Sequence, residues 1–564
     1  MTHFQAAIRC CCVAATLFAA VQPLSAAGWG KVTDEEWATQ APPDFPSANA
    51  LYLFGNGHYI VTIEGVEMRH HYRILVLTPA GVEEAGNVEF WYDDDDKLTD
   101  FDAHTIRPGG EKIKVDKKTI AEKSLRGYKQ RSIAFPAVEP GCILEFKYTI
   151  KTEYHGFPTP WYFQMDLYTL KSSLTLSHDD RFEYSFNARN VPPDRKNPIE
   201  DRTLDAKAVA SGAGPSYLYT FTWQVENLLP VPEEPYQSCL QDYRSAMRFQ
   251  LAGFHTTYHN RKYLESWTQI GKRYSEQLTR FADSKGEIEK LARTVTAGIT
   301  SPAGKSRALY NYVINEYQTS DELAFGGRLS QVLAKKVGSG EDKNHLLVEL
   351  HKALGLESWP VLIGTRDHGR FDPARADLSQ FNYLVAIVHV DSTWEFLDAA
   401  WKYYPYGFLT PSCLTDGGFL LDGENSDLIR MTIRPARSMR VDSTRMVINA
   451  DRTVSCSTST VFTGYTASLY AERYDEQTPE GFAREYYVDR VGKSCQLTHQ
   501  AISRDSLDQF IARIVMTSGS LVEDLDGNLI VKPVSFTFRT NPFSAQKRFT
   551  PIDFIHPFQY RNVV

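Results

Sequence analysis

Beyond its first 27 residues the sequence has no apolar run near the roughly 20 residues of a membrane-spanning helix, so no integral membrane segment is expected in the mature chain. It has no CxxC pair, no Cys/His zinc spacing, no Gly-rich phosphate loop and no dinucleotide fingerprint, and no metal or cofactor is expected. Charge of one sign is lacking as well. The 61 Lys and Arg are interspersed with 69 Asp and Glu to a net −8, which leaves no basic face for nucleic acid or anionic lipid. Cysteine is scarce. Of the eight, Cys10, Cys11 and Cys12 cluster at the start, while Cys142, Cys239, Cys413, Cys456 and Cys495 are scattered, an odd number that builds no disulfide scaffold. Cys456 and Cys495 fall in one region and could pair in an oxidising compartment; two buried thiols are the expectation.

What is present suits several domains rich in β-structure. A chain of 564 residues is too long for one core and implies about three or four domains, and 12% aromatic residues favour strands. Met1 to Arg9 is a short basic stretch, Cys10 to Val21 is apolar, and Leu24-Ser25-Ala26 supplies small residues before a cut near Ala27. This is the pattern of a secretory signal over residues 1–26, and it predicts a secreted or periplasmic protein.

From about 48 to 255 the pattern is strand-like. Leu144, Phe146, Tyr148 and Ile150 alternate with Glu145, Lys147, Thr149 and Lys151 behind a Pro140-Gly141 turn, and Phe182, Tyr184 and Phe186 alternate likewise, so an antiparallel β-sandwich is predicted. Near Tyr258 the period changes to that of helices. Trp267, Ile270, Tyr274 and Leu278 make one stripe, Ile288, Leu291, Val295 and Ile299 a second; a third helix starts at Ser301 and Pro302. Strands are expected at 359–364, 382–390 and 394–398, giving an α+β domain over 256–428. From 429 to 564 alternation returns, with a helical insert near Pro479 to Val491.

The stretch that organises the chain is Val337-Gly338-Ser339-Gly340-Glu341-Asp342-Lys343-Asn344. Leu346, Leu350, Ala353 and Leu354 follow at helical spacing, and Gly355 stops the helix. It resembles the active-site helix of bacterial exported transglutaminase-like proteins, with Gly338, Asp342 and Lys343 in the family's places. That family is papain-like, with a cysteine, a histidine and an aspartate. In this sequence the cysteine position is Gly340 and the histidine position is Tyr383; Asp398 keeps the acid. The text Phe135-Pro136-Ala137-Val138-Glu139-Pro140-Gly141 resembles the β-domain of unknown function that precedes such domains, and the tail from Arg548 to Tyr560 resembles their closing strand. The resemblance implies a multidomain α+β protein with an N-terminal β-sandwich, a central transglutaminase-like domain and a C-terminal β-rich domain.

The replaced residues decide the functional expectation. Acyl transfer needs a thiolate activated by an imidazole; glycine has nothing to attack with, and a phenol of pKa near 10 is a poor base. No catalytic residue is therefore assigned, and Gly340, Tyr383 and Asp398 mark a degenerate site. Ser339, Asp342, Trp401 and Tyr403 are candidate cleft-lining residues, and Tyr383 is large enough to plug the space of the lost thiol. The expected function is an exported, non-catalytic binding or scaffolding protein of the cell envelope with a peptide, protein or cell-wall ligand. The alternative is a cysteine- or serine-dependent peptidase or amide transferase with relocated groups. Ser339 is expected to cap the helix, and Cys413 to lie away from the groove.

Overall fold

The structure is a computed structural model describing residues 28–125, 127–156, 158–204, 216–256, 259–320, 326–433, 437–492, 494–506, 508–526, 528–534, 536, 541–543 and 547–564. The expected signal peptide, with Cys10 to Cys12, lies outside the described residues, as do Tyr258 and Phe325.

The N-terminal domain is built on an eight-stranded sheet in the order 199–204, 217–228, 168–179, 50–62, 65–76, 143–152, 97–106 and 112–114. Its alternating side chains, among them Leu144, Phe146, Tyr148 and Ile150, share one core with residues from two smaller sheets around 246–255 and 128–134. The sheet departs from the antiparallel expectation at one pair, because Ala50–Thr62 and Tyr168–Asp179 run parallel. Residues 28–37, ahead of the expected start at 48, pack onto this sheet. Glu145, wholly buried, accepts from Gly30 N at 2.8 Å and pairs with Arg73 at 2.6 Å, and Arg73 also holds Glu36. A short strand at Asn260–Lys262 pairs with Ala246–His255, so this sheet continues past the expected joint at 255/256.

The middle domain sets helices on one face of a five-stranded sheet. Helices at Trp267–Phe281, Lys285–Val295 and Pro302–Glu316 precede the central helix Gly340–Ala353, whose Leu346, Leu347 and Leu350 are buried against Ala386 and Val388 of the sheet. The strands Ser358–Ile363, Tyr383–Val390 and Thr393–Leu397 stand within a residue of the expected 359–364, 382–390 and 394–398. The sheet ends in a strand at Asp427–Arg430, which the expected joint at 428/429 would cut.

The C-terminal domain is a five-stranded sheet closed by Phe558–Val563, which runs parallel to Ser438–Ile448. Helical turns over 479–491 occupy the predicted insert, and a further helix at Tyr465–Asp475 precedes them. Cys456 and Cys495 are both buried free thiols. Among the described residues no helix is long and apolar enough to cross a membrane.

Candidate functional site

The central helix starts where its sequence says it should. Ser339 Oγ accepts from Asp342 N at 3.1 Å and the Asp342 carboxylate accepts from Ser339 N at 3.3 Å, a reciprocal cap that satisfies two otherwise orphaned donors. Asp342 also accepts from Gly326 N and Gly327 N at 3.2 and 3.1 Å, pinning the glycine turn before the helix. Ser339 and Asp342, two of the four candidate cleft-lining residues, are thus buried in the helix start. Ser339 is committed to capping.

Gly340, Tyr383 and Asp398 meet at one point. A first side-chain carbon built on Gly340 would lie 2.5 Å from the Tyr383 hydroxyl oxygen and 3.0 Å from Ala400 Cβ, so the phenol occupies the space a cysteine would need. That hydroxyl donates to Asp398 Oδ1 at 3.0 Å. Asp398, wholly buried at the end of its strand, also accepts from Asn344 Nδ2 at 2.9 Å, Ala400 N at 3.2 Å and Thr410 Oγ1 at 2.8 Å. Burial, and then the Asp398 charge, hold the Tyr383 phenol well above its ordinary pKa, so it is a donor and not a base at neutral pH.

Several of these contacts carry no sequence signal. Asn344 bridges the helix to the sheet, taking Ala399 N at 2.6 Å and giving to Leu384 O at 2.9 Å. Cys413, expected away from the groove, lies beside the acid. Its Sγ is 3.8 Å from Asp398 Oδ2 and accepts from Thr410 Oγ1 at 3.0 Å. Burial, with the Asp398 charge behind it, pushes this thiol well above its ordinary pKa, and its hydrogen-bonding neighbours are Thr410, Ser412 and Asp398, with no imidazole among them. Lys343 turns inward and donates to Tyr317 O at 2.8 Å, Thr319 Oγ1 at 3.0 Å and Ala400 O at 3.0 Å; burial brings its pKa down to about 8.

What remains open beside this cluster is a hollow of about 150 Å³ lined by Tyr274, Glu341, Phe381, Asn382 and Tyr383 together with leucines. Burial raises the Glu341 carboxyl above its ordinary value, and among the described residues no cysteine or serine lines the hollow. Trp401 packs with the apolar cluster under the sheet. Tyr403 donates to Asp475 at 3.1 Å and touches the C-terminal core, so it lies at a domain joint. Among the described residues no group of His, Cys, Asp or Glu is arranged to hold a metal ion.

Residues 289–399 match the transglutaminase-like superfamily, and residues 64–211 match a domain of unknown function with solved structures (DUF3857). The chain therefore carries a transglutaminase-like domain behind an N-terminal domain of that second family. Its fold is similar to the crystal structure of a candidate protease from Parabacteroides distasonis ATCC 8503, with a TM-score of 0.51 and 12% identity over 83% of this chain and 93% of that one. A candidate cysteine protease from Cytophaga hutchinsonii aligns at a TM-score of 0.19 and 10% identity, over 56% of this chain and 79% of the other. Aminopeptidase A from Legionella pneumophila, solved with aspartic acid, aligns at 0.22 and 7%, over 75% and 53%. No protein of curated function is similar in sequence.

Proposed function

We propose that this is an exported, non-catalytic protein whose transglutaminase-like domain serves as a binding or scaffolding unit between two β-rich domains in the cell envelope. One observation carries the reading: the Tyr383 hydroxyl stands 2.5 Å from where any side chain at Gly340 would begin. Position 340 offers no nucleophile, position 383 offers no base, and the phenol fills the volume in which a thioester would form. Asp398 then has a structural task, gathering donors from the helix, the sheet and the following loop. The fold that held acyl donors persists without the chemistry.

The test is amine release from a fluorescent glutamine peptide by the purified full chain. No release above buffer is expected, and none from Gly340→Cys alone, because a thiol there meets the phenol and finds no imidazole. Release by the wild-type protein that disappears in Asp398→Asn, with unchanged thermal unfolding, would overturn the proposal.

The position of Cys413 favours a second reading, a cysteine-dependent peptidase or amide transferase with relocated groups. Against it stand the raised thiol pKa and the missing base. Turnover abolished by thiol alkylation and by Cys413→Ala would establish it.

A further inference from the structure

The middle sheet has a second face. Ala386 and Val388 pack toward the central helix, and Val385 and Ile387 turn the other way. On that side Trp359, Ile387 and Phe396 form one rung across three neighbouring strands. Trp394 stands two residues before Phe396, on the same face, and its ring lies 5.4 Å from that of Trp359 at an angle of 44°. With Leu420 and Ile429 these side chains floor an open groove of about 490 Å³. That volume lies within the roughly 300–1,000 Å³ of ligand sites. Ile387 is four residues from Tyr383 along one strand, so the groove is roughly 13 Å from the plugged site.

Two opposite charges border this floor. Asp422 and Arg430 both line the groove, and among the described residues neither side chain has a hydrogen-bond or ion-pair partner. Neither indole N–H of Trp359 or Trp394 meets a protein acceptor among them either. Trp394 is 48% exposed, with one face of its ring stacked on His389 at 4.6 Å and 27°, which leaves the other face for a ligand.

We propose that this groove binds a neutral oligosaccharide, with pyranose rings laid on Trp359 and Trp394 and hydroxyls shared between Asp422 and Arg430. The proposal deepens the binding role given above and rests on it. A pyranose presents a face of polarised C–H groups, which suits the electron-rich face of an indole, and a rim of hydroxyls. Each hydroxyl both donates and accepts, so one ring satisfies a carboxylate and a guanidinium together. An acyl chain would leave Asp422 desolvated without a donor. An extended peptide could add only to the edge strands Thr393–Leu397 or Asp427–Arg430, and its binding is a separate outcome of the test below.

The experiment is calorimetric titration of the full chain with the β-1,4-linked hexamers of glucose and of N-acetylglucosamine, with tryptophan fluorescence in parallel. Saturable binding of one of them is expected, weakened by about tenfold or more in Trp394→Ala and in Trp359→Ala, as the loss of a stacked aromatic predicts. Asp422→Asn should weaken it severalfold. Trp394 is half exposed, so its removal leaves the fold intact, and an unchanged thermal transition checks this. The proposal is overturned if neither sugar binds at millimolar concentration, or if binding survives both tryptophan substitutions. Trp394-dependent binding of a fatty acid or a peptide in place of the sugars overturns it too. None of these outcomes touches the loss of acyl-transfer chemistry, which is read by amine release.

Discussion

Gly340 and Tyr383 are coupled by space. Gly340→Ala places a methyl 2.5 Å from the Tyr383 oxygen inside packed surroundings and should cost about 1–3 kcal/mol, the usual penalty of overpacking. In a Tyr383→Phe background the clashing oxygen is gone, so the same Gly340→Ala change should cost less, and urea unfolding of the four proteins measures that coupling. Equal penalties in both backgrounds would show that the phenol does not occupy the site. Asp398 is the second residue-scale test. Asp398→Ala strips the Tyr383 hydroxyl and buried Asn344 and Thr410 of an acceptor and should destabilise the middle domain by at least about 3 kcal/mol, read as a shift in its unfolding midpoint. Gly340, Tyr383 and Asp398 were picked out only by the resemblance to the transglutaminase-like motif, and the structure brings the three together. Cys413, Asn344 and Thr410 were not legible in the sequence. Cys413 and Thr410 reach Asp398 only because the loop after Ala400 folds back, and no periodicity encodes that return.

The central helix carries a prediction of its own. His345 and His351 are buried in it, and burial lowers their pKa values to about 4 and about 3. An unfolded histidine titrates near 6.5. Below that pH the unfolded chain takes up protons that the folded helix refuses, so the stability these residues permit is complete above about pH 6.5. It falls as pH drops toward their folded values. The slope is about 1.4 kcal/mol per pH unit for each histidine. His351→Gln keeps a polar group near Ser306 Oγ, now 2.8 Å from the imidazole, and removes one titration. Urea midpoints measured between about pH 6.5 and 5 should then fall less steeply than in the wild type, and an unchanged slope would refute the assignment. Helix ends were readable because Ser301 with Pro302 and Ser339 are local caps. The parallel pairing of Ala50–Thr62 with Tyr168–Asp179 was not, since alternation fixes which face a strand buries and says nothing of its neighbour.

At the scale of the molecule, the last residues tie the three domains together. Glu234 of the N-terminal domain accepts from Phe549 N at 2.9 Å, from Thr550 N at 2.8 Å and from the Thr550 hydroxyl. Asp553 donates its N–H to Tyr236 O at 2.7 Å, and its carboxylate pairs with the Arg366 guanidinium of the middle domain at 2.6 Å. The chain then enters the C-terminal sheet as its edge strand. A mutation at one end of this strap should therefore be felt along it. Glu234→Ala leaves two backbone N–H groups without their acceptor, at about 1–3 kcal/mol each where water cannot replace it. Limited proteolysis should cut this variant between Phe549 and Phe558 sooner than the wild type, and calorimetry should show the N-terminal domain melting apart from the other two. If the variant resists the protease as the wild type does and melts in the same transition, the strap does not join the domains, and the N-terminal domain must be held by its direct contacts with the middle one, where Asp242 accepts from Arg370 N at 3.1 Å and Asn187 donates to Asp372 at 3.3 Å.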